Sequence, residues 1–165
     1  MRLWHQFLIP RLDRQRLLSQ HRECCALRGK GWGKKHSVVD YVFKHDLAHL
    51  YEYHMLVMCE MSRRGYEVSN SLWYLRTYRG AGLKLSDDSS VGTYVYPEHI
   101  DNYIHNGTSF DEYVKMSCVS GALIYPEHDI AYLKECLLNL KSKGARLEGG
   151  ESIDEMLVKI DLLDE

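Results

Sequence analysis

The most constraining feature of the sequence is a long amphipathic segment from Asp46 to Arg64. Apolar and aromatic residues recur in it at intervals of three and four, which is the spacing of one face of an α-helix. Arg63 and Arg64 suit the negative end of a helix dipole, and Gly65 supplies a stop signal. The segment therefore predicts a helix that must bury one face against a partner. That face is formed by Leu47, Leu50, Tyr51, His54, Met58 and Met61.

Two further segments show the same periodicity. The first runs from Arg14 to Leu27, and Asp13 is placed to cap its first turn. The second runs from Pro126 to Lys143 and is followed by Gly144. It opens in the second copy of the motif YPEH, at 125–128, because proline is favoured in the first turn of a helix.

The middle of the chain, residues 69–125, predicts less regular structure. Residues 71–95 are rich in Trp, Tyr, Gly and Ser without a clear period and are interpreted as loop. The first YPEH copy, at 96–99, predicts another helix start, and a shorter helix is expected near Phe110–Met116.

The C-terminal residues predict a last, acidic helix. After a pair of glycines, Ser152 and Glu155 form a capping-box pattern. We therefore expect a mainly α fold, with a single compact domain over 1–148 and a helix within 149–165 that packs on it or docks a partner. The apolar face of that helix would be formed by Ile153, Met156, Leu157, Ile160 and Leu163.

Composition excludes several classes of protein. Hydrophobic residues make up 45% of the 165, enough for a core, so a disordered chain is excluded. No stretch approaches the roughly 18 apolar residues of a membrane span, and the N-terminus lacks a signal-peptide pattern, so we expect a cytoplasmic, nucleoid-associated protein that does not contact membranes. The five cysteines are odd in number and form no CxxC pattern. We therefore expect the thiols to be reduced, and we expect neither a bound metal nor a cofactor.

The charge is distributed unevenly along the chain. The net charge is −2, yet residues 1–44 contain ten lysines and arginines against three acidic residues. A basic loop, RGKGWGKKH at 28–36, lies in this part, and its three glycines disfavour a helix. A basic face of this kind is typical of polyanion binding, although charge also segregates by chance onto solvated faces. Trp32 suits stacking on an unpaired base, or packing back on the core.

The N-terminal segment resembles a known family. MRLWHQFLIPRLDRQRLLSQHRECCALRGKGWGKKH is similar to the start of the phage-type pyrimidine-dimer DNA glycosylases, and most similar to a bacterial branch that begins MRLWH. The family helix of the form LLAEHRE corresponds to LLSQHRE at 17–23. The end of the central helix, RRGY at 63–66, is similar to the family's KRGF. The resemblance implies the family's compact helical fold, with an additional insertion over 69–125.

The resemblance also implies a chemistry. The family cleaves the glycosidic bond of a damaged nucleotide with the α-amine of the chain and then acts as an AP lyase through an imine. Met1 would supply that amine and Glu23 the catalytic carboxylate. Arg2 and Arg22 match family arginines at the DNA. Ala26 stands where the family has a further DNA-binding arginine, so other basic-loop residues would replace it. The predicted DNA-binding set is therefore Arg2, Arg22, Arg28, Lys30, Trp32, Lys34, Lys35 and His36.

Two other functions remain open from the residues. His45 and His49 are four residues apart with Asp46 between them, a pattern that also occurs in metal-dependent phosphohydrolases. A non-catalytic nucleic-acid-binding protein of the same fold is the other alternative. The expected partner is damaged or abasic duplex DNA, and we expect a monomer.

Overall fold

The described part of the chain is mainly helical. The computed structural model describes residues 2–29, 38–76, 78–80 and 123–162. Those residues contain four α-helices and no β-strand, which confirms the mainly α prediction. The helices are α1 (Arg14–Arg28), α2 (Leu47–Arg63), α3 (Ile130–Ser142) and α4 (Ile153–Asp161). Short 3-10 helices lie at Gln6–Arg11, Asp40–Lys44, Ser71–Tyr74 and Glu148–Gly150.

Helices α1 and α2 begin where their capping residues predict. The Asp13 carboxylate accepts a hydrogen bond from Arg16 N at 2.9 Å, and the Asp46 carboxylate accepts one from Ala48 N at 2.8 Å. Each aspartate thus pairs a backbone N–H that the first turn of a helix leaves free. Gly65 has a φ of +76° just after α2, a conformation that glycine adopts without strain. The predicted stop is confirmed.

Helix α3 corrects a prediction, because it begins at Ile130 rather than at Pro126. The YPEH copy forms a turn instead, in which His128 N donates to Tyr125 O at 2.9 Å. The helix starts where Asp129 accepts a hydrogen bond from Tyr132 N at 2.8 Å. An aspartate cap therefore outweighs the preference of proline for a first helical turn.

Helix α4 follows its capping-box prediction. The Ser152 side chain accepts a hydrogen bond from Glu155 N, and Met156, Leu157 and Ile160 are buried. They belong to the same apolar core as residues of α3 and of the N-terminal segment. Among the described helices, none is both long and apolar enough to cross a membrane.

The core surrounds the N-terminal segment, which is the feature that positions the site. Leu3, Leu8 and Ile9 are fully buried among apolar residues of all four helices. Helices α1 and α2 pack on each other beside this segment.

Four cysteines, Cys24, Cys25, Cys59 and Cys136, are free thiols, as expected. Cys118, the first YPEH copy and the predicted helix near 110–116 lie outside the described residues.

Candidate active site

Helix α1 places Glu23 beside the first residues of the chain. The Arg2 backbone N–H donates to Glu23 Oε2 at 3.3 Å. Gln20, one turn earlier on the same face of α1, donates from Nε2 to the same oxygen at 2.9 Å and to Arg2 O at 3.0 Å. From Arg2 onward, the start of the N-terminal segment therefore lies against α1.

The backbone of the N-terminal segment is held by side chains from three helices. Trp4 N donates to Gln20 Oε1 at 2.7 Å. The Tyr53 hydroxyl of α2 donates to Trp4 O at 2.6 Å, and the Tyr132 hydroxyl of α3 donates to Leu3 O at 2.6 Å. Because these groups are largely buried, water competes weakly for the hydrogen bonds. The start of the chain is thus fixed relative to Glu23.

The surroundings of Glu23 act on its pKa in opposite directions. Burial raises the pKa, because a desolvated carboxylate is harder to ionise. Hydrogen bonds from Arg2 N and Gln20, and the positive charges of the N-terminus and Lys143, lower it. The burial effect is the larger, so the pKa lies above its ordinary value. A carboxylate with a raised pKa is a better proton acceptor than an ordinary one.

The Arg2 side chain turns away from Glu23. Its guanidinium donates to Glu135 Oε1 at 2.8 Å and lies 5.9 Å from the Trp4 ring centre and 5.7 Å from that of Tyr132. Lys143 also approaches Trp4, with Nζ 5.7 Å from the centre of its ring. Two cations therefore lie close to Trp4, next to the backbone that Gln20 holds.

Arg22 and Arg28, both predicted to contact DNA, have opposite surroundings. Arg22 is exposed, and its guanidinium donates to Ser19 Oγ at 3.2 Å. Arg28 is only 1% exposed and donates to three backbone carbonyl groups, of Trp73, Leu75 and Tyr78. This corrects the expectation for Arg28: its guanidinium holds the backbone of Trp73, Leu75 and Tyr78 and is not at the surface to meet a phosphate.

The remaining predicted site residues lie outside the described part of the chain. They are Met1, Lys30, Trp32, Lys34, Lys35 and His36.

A second cluster, His21, Cys25 and His54, lies on the flank of α1 that faces α2. The ligand atoms of these three side chains lie within 4.8 Å of one another, a separation that a metal ion could bridge. Arg28 Nη1 is 3.0 Å from His54 Nδ1, and arginine can only donate, so His54 Nδ1 is an acceptor. Neutral His54 therefore carries its proton on Nε2, which is 2.8 Å from His21 Nδ1 and donates to it.

That proton arrangement disfavours a metal at the cluster. A metal-bound histidine uses one ring nitrogen for the ion and donates a proton from the other to a carboxylate, carbonyl or water. Here the ring nitrogen of His54 that would have to donate, Nδ1, faces the guanidinium of Arg28, which cannot accept a proton. Burial also raises the pKa of the Cys25 thiol to about 11, against the thiolate that metal binding needs.

The alternative metal set, His45, Asp46 and His49, does not converge on one point. Asp46 caps α2 with its carboxylate. His45 Nε2 lies 2.8 Å from Glu127 Oε1, and His49 Nδ1 lies 3.2 Å from the backbone oxygen of Asp46. Within the described residues, His21, Cys25 and His54 are the one group of at least three such side chains close enough to share an ion.

Sequence reasoning missed Gln20 and Lys143. Gln20 is three residues before Glu23, so helical spacing could have placed the two on one face of α1. No local signal marks Lys143, because it approaches Trp4 from the far end of α3.

Comparison with known proteins gives one match. Residues 1–74 match the model of the pyrimidine dimer DNA glycosylase family. No curated protein and no solved structure matches the chain. The matched range includes α1, α2, Glu23 and Gln20, and so covers the helix face that holds the start of the chain.

Proposed function

We propose that the chain, whose residues 1–74 match the model of the pyrimidine dimer DNA glycosylase family, is a DNA repair glycosylase with AP-lyase activity. Its substrates would be a pyrimidine-dimer-like lesion or an abasic site in duplex DNA. The observation that carries the proposal is the contact between Glu23 Oε2 and Arg2 N at 3.3 Å.

That contact supports the proposal because the nucleophilic α-amine would be close to the amide nitrogen of Arg2. Three covalent bonds join the amide nitrogen of Arg2 to the α-amine of Met1, so in any conformation the two nitrogens lie within about 4 Å of each other. An α-amine has a pKa of about 7.7–8.0, so a useful fraction is unprotonated and nucleophilic near pH 7. The carboxylate of Glu23 would then act close to the nucleophile.

The proposed reaction has two stages. The amine forms a bond to the sugar C1′ as the glycosidic bond breaks, and the base leaves with a proton. The nitrogen lone pair then forms the imine as the bond from C1′ to the ring oxygen breaks, and the ring oxygen takes a proton. Glu23 then accepts a proton from C2′, and the bond from C3′ to the phosphate oxygen breaks, which cleaves the strand. The raised pKa of Glu23 suits the second stage, because proton acceptors work best when their pKa is near the working pH.

DNA would be held by the basic N-terminal part of the chain. Arg22 is exposed and adjoins Glu23, so it can bind a phosphate while Glu23 faces the N-terminal segment. We propose phosphate contacts for Lys30, Lys34 and Lys35 also. Arg2, Trp32 and His36 complete the proposed DNA face. Contacts to phosphate provide affinity without sequence preference, which a repair enzyme requires.

Borohydride trapping tests the chemistry. The protein is incubated with an oligonucleotide duplex containing one abasic site, and sodium borohydride reduces any imine to a stable protein–DNA adduct. We expect the adduct for the wild type, with the label on the N-terminal peptide by mass spectrometry. Blocking the α-amine by acetylation should abolish it.

Glu23→Gln separates imine formation from strand cleavage. The amide keeps the size of the side chain and removes the proton acceptor, so DNA binding should persist while strand cleavage falls about 100-fold or more. Glu155→Gln, at an exposed carboxylate on α4, is the matched control and should cleave normally. Unchanged cleavage by Glu23→Gln would remove Glu23 from the mechanism, and binding without any adduct would indicate a non-catalytic DNA-binding protein.

A salt titration tests the basic loop. Replacing Lys30, Lys34 and Lys35 by alanine should flatten the plot of log affinity against log salt by roughly 0.9 for each lost phosphate contact, or about 2.7 in all. Replacing Lys134, Lys141 and Lys159 changes the net charge equally and is the control, because these residues lie on α3 and α4. If both triple variants show the same slope, the loop does not contact DNA.

A further inference from the structure

Gln20 connects the N-terminal backbone to Glu23 through a single buried amide. It is 1% exposed and contacts four polar groups. Nε2 lies 3.0 Å from Arg2 O and 2.9 Å from Glu23 Oε2. Oε1 lies 2.7 Å from Trp4 N and 2.9 Å from the Tyr53 hydroxyl. Both N–H groups of the amide are used, and its oxygen accepts from Trp4 N; the Tyr53 hydroxyl has one proton, which it shares between this oxygen and Trp4 O.

The backbone decides which way this amide points. Trp4 N can only donate, so the atom facing it must be the amide oxygen. Arg2 O can only accept, so the atom facing it must be the amide nitrogen. Gln20 consequently presents its second N–H to Glu23 and cannot turn over without breaking both backbone contacts.

We propose that Gln20 is the positioning residue of this site: it holds the Glu23 carboxylate and the backbone of residues 2 and 4 in one fixed arrangement. The inference rests on the proposed function, because it concerns how the carboxylate and the chain's amine are kept together. Gln20 does not touch the reacting atoms. It acts by giving Glu23 Oε2 a second N–H donor beside that of Arg2.

A neutral amide at this position also controls the charge of Glu23. An N–H donor favours the ionised carboxylate, whereas a second carboxylate at the same distance would disfavour it. The other charged or titratable groups that act on Glu23 are the N-terminus and Lys143, at the end of α3. Cys24 is adjacent on α1. None of these is changed by a substitution at position 20.

Two variants of Gln20 and two matched controls test the proposal. Gln20→Met keeps the length of the side chain and removes its donors, and Gln20→Glu puts a carboxylate at the same place. Gln15→Met and Gln15→Glu make the same changes at an exposed glutamine of α1. The first readout is the titration of the Glu23 carboxyl carbon by NMR, assigned by its absence in Glu23→Gln, and it needs no activity.

We expect the midpoint of the Glu23 titration to move upward in Gln20→Met and further upward in Gln20→Glu, and not to move in the Gln15 variants. The second readout is the single-turnover cleavage of abasic DNA against pH. Its acidic limb should move with the Glu23 midpoint, and the rate at neutral pH should fall about tenfold or more while DNA affinity stays the same.

The outcomes separate this inference from the proposed function. If the wild type forms no imine, the proposed function fails, and the titration still decides whether Gln20 controls Glu23. Folded Gln20 variants with an unchanged Glu23 midpoint and pH profile would overturn the inference. Loss of folding in both variants would assign Gln20 to stability alone and would overturn it equally.

Discussion

Arg28 shows how one buried cation organises its neighbours. Its guanidinium donates to the carbonyl groups of Trp73, Leu75 and Tyr78, at 2.7, 2.6 and 3.0 Å, and to the ring of His54. Within the described part of the chain no carboxylate is among these partners, and the backbone dipoles of the three carbonyl groups face the charge. The planar guanidinium of arginine spreads five N–H donors over a fixed fork, whereas lysine has three donors on one compact ammonium group.

We predict that Arg28→Lys lowers the free energy of unfolding by about 2–4 kcal/mol, because the carbonyl groups of Trp73, Leu75 and Tyr78 lose donors from a buried guanidinium. Arg22→Lys is the control on the same helix and should change it by less than about 0.5 kcal/mol, since Arg22 is exposed. Urea unfolding followed by circular dichroism measures both. Equal stability of the two variants would show that the Arg28 contacts contribute little.

At the scale of elements, the end of α2 fastens the N-terminal segment to the core. Glu60 is completely buried and pairs with Arg64 at 2.6 Å. Arg64 also donates to the backbone carbonyl groups of Pro10 and Leu12, at 3.0 and 2.7 Å. The segment that leads from the N-terminus to α1 is thereby tied to the last turn of α2.

Arg64→Met should lower the free energy of unfolding by about 2–4 kcal/mol. The buried Glu60 would keep only Arg63 as a cationic partner, and the carbonyl groups of Pro10 and Leu12 would lose the Arg64 donors. Arg63→Met removes the other partner of Glu60, but the Arg63 side chain is 45% exposed. It should cost less than about 1 kcal/mol. Chemical denaturation distinguishes the two, and equal losses would contradict a special role for the Arg64 carbonyl contacts.

At the scale of the whole molecule, histidines form part of the core. Burial lowers the pKa of His5 to about 3, and it lowers the pKa values of His54 and His128 well below their ordinary range. All three are therefore neutral in the folded protein at neutral pH. In the unfolded chain they bind protons near pH 6.5.

The direction in which stability changes with pH follows from this difference in proton binding between the folded and unfolded states. Stability is fully present above about pH 6.5 and is lost as pH falls toward 3, because the unfolded state binds more protons. We expect each histidine to contribute up to about 1.4 kcal/mol per pH unit in this window. Glu23 acts in the opposite direction, because its pKa is raised, but these three histidines outnumber it, and the pKa of His21 is lowered as well.

Urea unfolding between pH 7.5 and 4.5 measures this slope. His5→Asn keeps an acceptor for the Phe7 N–H and should flatten the slope. A wild-type stability independent of pH across this window would contradict the assignment of neutral core histidines.

The sequence alone determined the features that depend on neighbouring residues. Helices α1 and α2, their aspartate caps and the glycine after α2 follow from apolar spacing and from hydrogen bonds within one turn, which are local. Glu23 was identified because it stands in a short stretch of α1 that resembles the family's helix. Where two local signals competed, as at Pro126 and Asp129, the sequence did not show which one starts the helix.

The tertiary structure decided how the side chains are used. Arg28 and Arg22 are both arginines on α1, and their different burial arises because one faces α2 and the 73–78 segment while the other faces solvent. Gln20 contacts Trp4 and Tyr53, which are 16 and 33 residues away in the chain. Hydrogen bonds between distant residues leave no periodic signal, because they depend on how the helices pack. The sequence thus predicted the carboxylate, and the fold determined what holds it in place.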